Sequence, residues 1–238
     1  MIPPSLSRRP RLALGVAVAI LVAALSSPAG ATDIGITFGS LPSAQGFTYV
    51  SSGSPTATEA QAFTAGPGVL TLDTMAFGIT GSGTSAYYLQ TGVVNNTQPI
   101  VVRMRARVIQ YEGDFTNVFV GGGLAFGFTP ATTAFQMGIT STQIRSINGT
   151  ILSSAYDNTQ FHDYRMEWDP PSTLRYYVDN TLISTNNAGA SPAPNRILFG
   201  DLTGAANSRS EITEYRFLQG LATPTEGGSW GRLKSLYR

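Results

Sequence analysis

The sequence contains no cysteine and only one histidine. The absence of cysteine excludes disulfides, thiolate metal sites and cysteine nucleophiles, so the hydrophobic core alone has to stabilise the fold. Any Ser-His-Asp triad would have to use His162, which lies at the start of a predicted strand where no nucleophile elbow is recognisable. We therefore interpret His162 as a structural or solvated side chain. The motifs of zinc proteases, P-loops and dinucleotide-binding folds are also missing.

Charged residues are scarce as well, at 12% of the chain. The formal net charge is +1, and it becomes −2 if the three arginines between residues 8 and 11 are removed with an N-terminal signal. Nucleic-acid binding favours a strongly basic surface, so we expect no nucleic-acid partner.

Long apolar runs are missing except at the N-terminus. The arginines between residues 8 and 11 precede an apolar run from Leu12 to Leu25, and the small residues 29–31 follow it. This order is typical of a signal peptide, and the run is shorter than the about 20 residues that span a membrane. We predict a signal peptide over residues 1–31, with an uncleaved anchor as the alternative. After cleavage no transmembrane anchor remains, and the expected location is extracellular or at the cell surface, with the periplasm as an alternative.

The C-terminal residues 221–238 differ in composition from the rest of the chain. Pro224 and a Gly-Gly pair indicate a linker, and Trp230, Leu233 and Tyr237 then recur at near-helical spacing among basic residues. One interpretation is a frayed end that docks on its own domain. The other is a short basic amphipathic helix, residues 230–238, for sorting or for docking to a partner.

Alternating side chains dominate residues 32–220. In the segment IVVRMRARV, Val102, Met104 and Ala106 share one face, while three arginines share the other. The segments LAFGF and FQMGI alternate in the same way, with small or polar residues between the large apolar ones. A period of two predicts strands with one buried and one solvated face.

Short turns separate these predicted strands. Asn148-Gly149 lies between two apolar runs and predicts a type I′ hairpin, because both residues tolerate positive φ. Further turns are expected at residues 169–172 and at Asp179-Asn180. Many short strands with short turns predict an all-β, antiparallel two-sheet sandwich or jelly roll formed by one domain, residues 32–220.

The stretch FHDYRMEWDPPSTLRYYVDNTLI, residues 161–183, resembles the strand-turn-strand signature of concanavalin A-like lectin and glucanase domains, including laminin-G-like jelly rolls of bacterial secreted proteins. The segments RILFGDLTGAANSRSEITEYRF, GFTYVSSGS, GVLTLDT and SAYYLQ also resemble that superfamily, so the likeness covers about residues 34–218. Asn180 replaces the usual Gly of the second turn, which the tolerance of Asn for left-handed backbone permits. The resemblance implies a jelly-roll fold and leaves the function open among lectins, glycosidases and adhesion modules.

Within this signature, alternation divides the side chains between core and solvent. We expect Tyr164, Met166 and Trp168 to lie in the core together with Tyr176. Arg165, Glu167, Arg175 and Tyr177 are expected on the solvated face.

Two surface features are candidate binding sites. Arg103, Arg105 and Arg107 form a row of guanidinium groups that suits an acidic polymer, or alternatively pairs with carboxylates on neighbouring strands. The second feature is a shallow trough of small outward residues, in which glycine indicates close approach by a ligand or by another backbone. The residues predicted to bind a ligand are Tyr87, Tyr88, Arg103, Arg105, Arg107, Gly127, Gln136, Gly138 and Tyr177.

Catalytic motifs are incomplete. Glucanases that resemble this fold carry E-x-D-x-x-E, and the two similar segments, residues 112–117 and 167–172, both lack the final Glu. Calcium is the one cofactor that the resemblance permits, through loop carboxylates such as Asp157, Asp163 or Asp201, but no calcium-loop motif supports it. We expect no catalytic residue, no metal and no cofactor.

These observations predict a secreted, non-catalytic carbohydrate-binding module, with a polysaccharide or glycoconjugate as partner. The alternatives are a structural or adhesive surface protein that docks through its C-terminal tail, and a glycoside hydrolase with a degenerate active site.

Overall fold

A computed structural model describes residues 31–77, 84–113, 123–190 and 193–220. The predicted signal peptide and C-terminal tail lie outside these residues, as do Asp114 and Asn117 of the first glucanase-like segment. No helix in the described ranges is long and apolar enough to cross a membrane. The signal peptide, the secreted location and the tail's role therefore remain predictions.

The described chain is built almost entirely from strands. They are β1 (Thr32–Ile36), β2 (Thr48–Gly53), β3 (Phe63–Gly66), β4 (Val69–Asp73), β5 (Thr84–Thr91), β6 (Ile100–Gly113), β7 (Leu124–Thr129), β8 (Thr133–Ile139), β9 (Ile144–Ser146), β10 (Ile151–Ser153), β11 (His162–Asp169), β12 (Thr173–Val178), β13 (Thr181–Thr185), β14 (Gly189–Ala190), β15 (Arg196–Asp201) and β16 (Ala206–Gln219). One short helix, α1 (Glu59–Ala62), and two 3-10 turns, Pro42–Gln45 and Met75–Phe77, lie between them.

The strands form two antiparallel sheets of eight strands each. Sheet I has the order β13-β12-β11-β6-β16-β4-β3, and β1 also pairs with β16. Sheet II has the order β10-β9-β8-β7-β15-β5-β2, and β14 also pairs with β8. The predicted all-β, two-sheet sandwich is confirmed.

The core lies between the two sheets and follows the predicted alternation. Met104, Phe126 and Trp168 are at most 4% exposed, whereas Arg105 is exposed. Tyr164, Met166 and Tyr176 also lie in the core, as predicted. Aromatic rings join the sheets: Phe199 of β15 packs against Tyr215 of β16 with centroids 4.4 Å apart. The period-two pattern therefore identified the inward face of these strands correctly.

The hairpins predicted at Asn148-Gly149 and at Asp179-Asn180 are both present, but the turn type of the first differs from expectation. The loop between β9 and β10 has positive φ at Gly149 alone, and Ser146 N–H donates to the Thr150 carbonyl. This is a three-residue loop with a glycine in the left-handed conformation, so the predicted type I′ turn at Asn148-Gly149 is wrong. The turn between β12 and β13 has positive φ at both Asp179 and Asn180, as a type I′ turn requires.

The prediction of a solvated outer face is wrong at the centre of sheet II. Ala125 and Thr129 of β7 are fully buried although they point away from the core, and Gln136 of β8 is 8% exposed. Leu198 of β15 is 2% exposed. Both faces of these central strands are thus shielded, and only the rim of the outer face is open to solvent.

Candidate functional site

Strand pairing places small residues in one row across the outer face of sheet II. Gly200 lies opposite Tyr87 on one side and Ala125 on the other. Ala125 in turn pairs with Gly138, and Gly138 pairs with Arg145. The row therefore has a floor of three small residues between a tyrosine and an arginine.

A second row lies beside it. Leu198 pairs with Leu89 and Gly127, and Gly127 pairs with Gln136. We call these two rows, together with Thr129 at the end of β7, the trough. Its residues are Tyr87, Leu89, Ala125, Gly127, Thr129, Gln136, Gly138, Arg145, Leu198 and Gly200.

Two glycines of the trough occupy positions that a side chain would not fit. A Cβ on Gly127 would overlap the Phe135 carbonyl oxygen and lie 2.7 Å from Cγ of Gln136. A Cβ on Gly200 would lie 2.6 Å from the Tyr87 Cα, and its φ of +133° is one that side-chain-bearing residues rarely adopt. Close approach of neighbouring backbones, one of the two predicted reasons for glycine here, thus accounts for both residues.

Two polar side chains of the trough, Thr129 and Gln136, make no side-chain hydrogen bond within the described ranges, and the Thr129 hydroxyl is also buried. The Thr129 hydroxyl is inaccessible to solvent and has no hydrogen-bond partner. The Gln136 amide, on a residue that is 8% exposed, has no side-chain hydrogen bond within the described ranges. A buried polar group without a partner costs about 1–3 kcal/mol and is uncommon in native proteins. The Thr129 hydroxyl is one of several such groups in the described part of the chain, and a hydrogen-bonding ligand on this face would satisfy it.

Arg145 is held at the rim by its own hairpin. Its Nε and Nη2 donate to Gln143 Oε1 at 3.0 and 2.7 Å, and its Nη1 donates to the Gly149 carbonyl at 3.1 Å. These hydrogen bonds fix the orientation of the guanidinium. Arg145 and Tyr87 are both partly exposed, so the rim that bounds the buried floor is accessible.

The predicted arginine row lies on the opposite side of the molecule, on the outer face of sheet I. Each arginine there forms an ion pair with a carboxylate of a neighbouring strand. Arg103 pairs with Glu214, Arg105 with Asp163 at 3.1 Å, and Arg107 with Glu211 at 2.8 Å. The alternative interpretation of this row, cross-strand pairing, is the one that the structure shows.

Two of the predicted tyrosines are not available to a ligand. Tyr88 is fully buried in the core, where its hydroxyl donates to Glu59 at 2.8 Å. Tyr177 points outward from sheet I, but it is 7% exposed because the Arg165 guanidinium covers its ring at 4.3 Å. The expectations for both residues are corrected accordingly. Tyr87, Gly127, Gln136 and Gly138 do come together, in the trough.

No protein-family model matches the chain, and no curated protein matches it. Among solved structures, it is similar to the endo-beta-1,3-glucanase from Pyrococcus furiosus, with a TM-score of 0.51, 15% sequence identity, and coverage of 78% of this chain and 92% of that one. It is also similar to the laminarinase from Flavobacterium sp. UMI-01, with a TM-score of 0.50, 14% identity, and coverage of 78% and 98%. The carbohydrate recognition domain of Emp46p has a TM-score of 0.41, 12% identity, and coverage of 73% and 88%. The chain has the two-sheet jelly-roll fold of these two glucanases.

Within this jelly roll, the carboxylates of the glucanase-like segments are engaged elsewhere. Glu167 is 5% exposed and forms ion pairs with Arg165 at 3.1 Å and Arg175 at 3.4 Å. Asp169 pairs with Arg175 as well. Both acids lie on the outer face of sheet I, so the expectation of a solvated Glu167 is wrong. Glu112 is exposed near the end of β6.

The three carboxylates considered for calcium do not gather at one place. Asp201 is fully buried between the sheets of the jelly roll, where the Thr74 hydroxyl donates to it at 2.7 Å. Asp163 lies on the outer face of sheet I. Across the described part of the chain, no group of three or more His, Asp or Glu side chains could hold a metal ion.

His162 has the structural environment expected for it. Its Nδ1 lies 2.6 Å from Asp179 Oδ2, and its Nε2 lies 3.0 Å from the Asp157 carbonyl oxygen. The ring therefore ties the start of β11 to the β12–β13 turn and to the preceding loop, and no serine takes part.

Five residues of the trough were not predicted from the sequence: Leu89, Thr129, Arg145, Leu198 and Gly200. Arg145, Leu198 and Gly200 reach it because β9 pairs with β8 and β15 pairs with β7, and Leu89 reaches it because β5 pairs with β15. The FGD segment that carries Gly200 was noted only as a strand of the fold. Alternation in this strand places Ile197 and Phe199 on one face and Leu198 and Gly200 on the other. The sequence pattern does not say which strands are neighbours, and it is the pairing of β15 with β7 that places Leu198 and Gly200 beside Gly127 and Ala125.

Proposed function

We propose that this jelly roll is a non-catalytic carbohydrate-binding module and that a glycan lies across the trough. The observation that carries the proposal is the buried Thr129 Oγ1, which has no hydrogen-bond partner, on the same face as the Gln136 amide, which makes no side-chain hydrogen bond within the described ranges. Sugar hydroxyls donate and accept hydrogen bonds, so a bound glycan would satisfy both groups. The cost of leaving the Thr129 hydroxyl unpaired in the free protein would then be recovered on binding.

The shape and composition of the trough support a sugar ligand. The rim combines an aromatic ring, Tyr87, with a fixed guanidinium, Arg145, and the second row contributes the amide of Gln136. An aromatic plane packs against the apolar face of a sugar ring, while a few convergent polar groups fix the orientation of a ligand. The ligand would first contact the exposed rim. To contact the buried floor, it would have to displace the residues that cover the outer face of sheet II.

The charge of the trough supports binding without hydrolysis. Glycoside hydrolysis by the common mechanisms needs two carboxyl groups that flank the scissile bond. Within the described residues, the outward positions of β2, β5, β7, β8, β9 and β15 include no Asp or Glu. Similarity to proteins named as a glucanase and a laminarinase favours a carbohydrate ligand by analogy of fold.

Titration of the purified protein with plant, algal and bacterial polysaccharides tests the proposal, for example by affinity electrophoresis and calorimetry. We expect saturable binding that falls at least about fivefold in Tyr87→Ala and is largely retained in Tyr87→Phe, because the ring supplies most of the contact. Leu182→Ala is the control, because Leu182 is 46% exposed on β13 of sheet I.

Failure of every polysaccharide to bind would contradict the proposal and favour a structural surface protein instead. Release of reducing ends during incubation would contradict the proposal that the protein is non-catalytic and would favour the glycoside hydrolase alternative.

A further inference from the structure

The outer face of sheet II is covered at its centre. Leu198 points away from the core and lies beside Gly127, which has no side chain to shield it, yet Leu198 is only 2% exposed. Ala125 and Thr129 are fully buried on the same face. They are four positions apart on β7, about 13 Å, so a single side chain cannot shield both. A segment of chain therefore lies over the trough.

The described elements next to β7 and β15 do not account for this cover. Their main neighbours are the adjacent strands of sheet II, which pair edge to edge, and β6 and β16 of sheet I, which face them across the core. Neither group lies on the outer side of sheet II. The two longest stretches outside the described ranges are residues 1–30 and residues 221–238, which makes them the candidates.

The C-terminal tail leaves the jelly roll at the end of the sandwich where the trough terminates. Gln219 Oε1 accepts from the Asn95 N–H at 3.0 Å, and its Nε2 donates to the Asn95 carbonyl at 2.6 Å. The preceding residue, Val94, donates its N–H to Asn195 Oδ1 at 2.7 Å, and the Asn195 N–H donates to the Thr129 carbonyl at 2.6 Å. Consecutive hydrogen bonds thus link Gln219, next to the end of the described chain, to Thr129 in the trough.

The tail is long enough to reach the trough and has suitable side chains. Residues 221–229 can span at most about 30 Å, whereas the two sheets are only about 10 Å apart. Trp230, Leu233 and Tyr237 then supply large apolar side chains, and the floor of the trough offers Leu198 together with small residues. Burial of apolar surface on both sides would stabilise the contact by roughly 25 cal/mol per Å².

We propose that residues 230–238 dock in the trough of their own chain and shield it from solvent. The tail covers the floor with apolar side chains and leaves the Thr129 hydroxyl unpaired. A glycan would make the hydrogen bond that the tail does not make, so the two compete for one surface. The docking itself goes beyond the proposed function, and only the competition rests on it.

The absence of cysteine allows a direct test, because one introduced thiol is then the only one in the chain. Leu198→Cys places a thiol at the centre of the trough, and Leu182→Cys, at a position that is 46% exposed on β13, is the control. The rate at which a maleimide alkylates each thiol is measured in the full-length protein. We expect Leu198→Cys to react at least about tenfold more slowly than Leu182→Cys, because the uncovered state is the minor one.

Substitutions in the tail should then open the trough. Replacing Trp230, Leu233 and Tyr237 by alanine in the full-length protein with the trough thiol should raise the alkylation rate at least about tenfold. Ser235→Ala, a control in the same segment, should leave the rate unchanged. A synthetic peptide of the whole tail, added to the triple-alanine protein, should slow the reaction again. Thermal unfolding shows that each variant is folded.

The N-terminus is the matched comparison for the tail. Thr32 pairs with Gln219, so the chain that precedes β1 begins at the same end of the jelly roll. Removal of residues 1–31 should therefore leave the alkylation rate of Leu198→Cys unchanged if the tail alone covers the trough. Faster alkylation after this removal would make the N-terminal segment the cover and would overturn the proposal.

The other outcomes separate the docking from the proposed function. Equal alkylation rates with the intact and the substituted tail overturn the docking, as does rapid alkylation of Leu198→Cys in the full-length protein. Polysaccharide affinity, measured on the same tail variants with Leu198 intact, should rise at least about tenfold when the tail is substituted, and an unchanged affinity overturns the competition. If the tail controls alkylation and no polysaccharide binds, the docking stands and the proposed function fails. If polysaccharide binds and alkylation does not respond to the tail, the reverse holds.

Discussion

At the scale of single residues, Gly127 is the position that the fold fixes most tightly. A Cβ there would overlap the carbonyl oxygen of Phe135 on the neighbouring strand. We expect Gly127→Ala to lower the free energy of unfolding by about 2–3 kcal/mol, because backbone has to move. In Gly35→Ala of β1 the new Cβ would meet nothing within 4 Å, so this control should be neutral or gain about 0.5 kcal/mol. Denaturant unfolding of both variants checks the difference; similar effects would contradict the close approach.

Asp201 is a second residue whose environment has a measurable consequence. Complete burial raises the pKa of this carboxyl well above its usual 3.8, although hydrogen bonds from Thr74 and Thr203 act in the opposite direction. The folded state thus binds a proton more tightly than the unfolded state. The resulting stability is fully present below pH 3.8 and is lost as the pH rises through the folded-state pKa.

We therefore predict that Asp201→Asn removes this component of the pH dependence. The variant should be more stable than wild type at pH 7 by at least about 1 kcal/mol, and the difference should shrink as the pH falls towards 4. Unfolding by denaturant between pH 4 and pH 8 measures it. A variant that is less stable than wild type at pH 7 would show that the ionised carboxylate is favoured at this site.

At the scale of elements, the ion pairs of sheet I differ in what they contribute. Glu167 of β11 lies between Arg165 and Arg175 with 7% of its side chain exposed. The pair of Arg105 and Asp163 is open, with 45% and 57% of the two side chains exposed. Buried charges depend on their partners, whereas solvent screens exposed pairs.

We expect Glu167→Gln to cost about 2 kcal/mol of unfolding free energy, because it leaves the partly buried Arg165 beside a neutral amide. Asp163→Asn should stay within about 0.5 kcal/mol of wild type. Thermal and denaturant unfolding in low and high salt compares them. Equal losses of unfolding free energy in the two variants would show that the buried ion pair contributes no more to stability than the exposed one.

The sequence predicts the strands and their inward faces well, because alternation has the same period as the strand itself. Met104 and Phe126 are buried for that reason. In SAYYLQ, by contrast, the alternation does not determine which of the two adjacent tyrosines points into the core. In the structure it is Tyr88, whose ring packs against Phe199 with centroids 5.4 Å apart. The sequence pattern also does not predict that the Arg165 guanidinium covers the ring of Tyr177, because the two residues lie on different strands.

The trough was predictable only in part, since its rows depend on which strands are neighbours. The alternation in β7 and β8 predicted that Gly127, Gln136 and Gly138 share the outer face of the sheet, and strand pairing confirms that placement. Arg145 and Gly200 join them through pairing between strands that are distant in the chain, which short-range pattern does not encode. The arginine row was conspicuous in sequence, but its carboxylate partners come from β11 and β16.

At the scale of the whole molecule, the two outer faces of the jelly roll use polar residues in opposite ways. Sheet I neutralises its charges internally, through pairs such as Arg209 with Asp73 and Arg216 with Asp33. At the floor of the trough, sheet II holds the buried Thr129 hydroxyl without a hydrogen-bond partner. Groups that weaken the free protein are typical of sites where function sets the requirement. The account therefore assigns stability to one face and recognition to the other.

The most direct test of this central claim is the unfolding free energy and glycan affinity of Thr129→Val, measured on the same preparation. Valine has the shape of threonine and lacks the unpaired hydroxyl, so we predict a protein more stable by about 1 kcal/mol that binds glycan at least about fivefold more weakly. Thr84→Val is the control, because the buried Thr84 hydroxyl donates to the Pro55 carbonyl at 2.5 Å. It should lose about 1 kcal/mol and bind normally. A Thr129→Val protein that loses stability while binding glycan as wild type does would contradict the account.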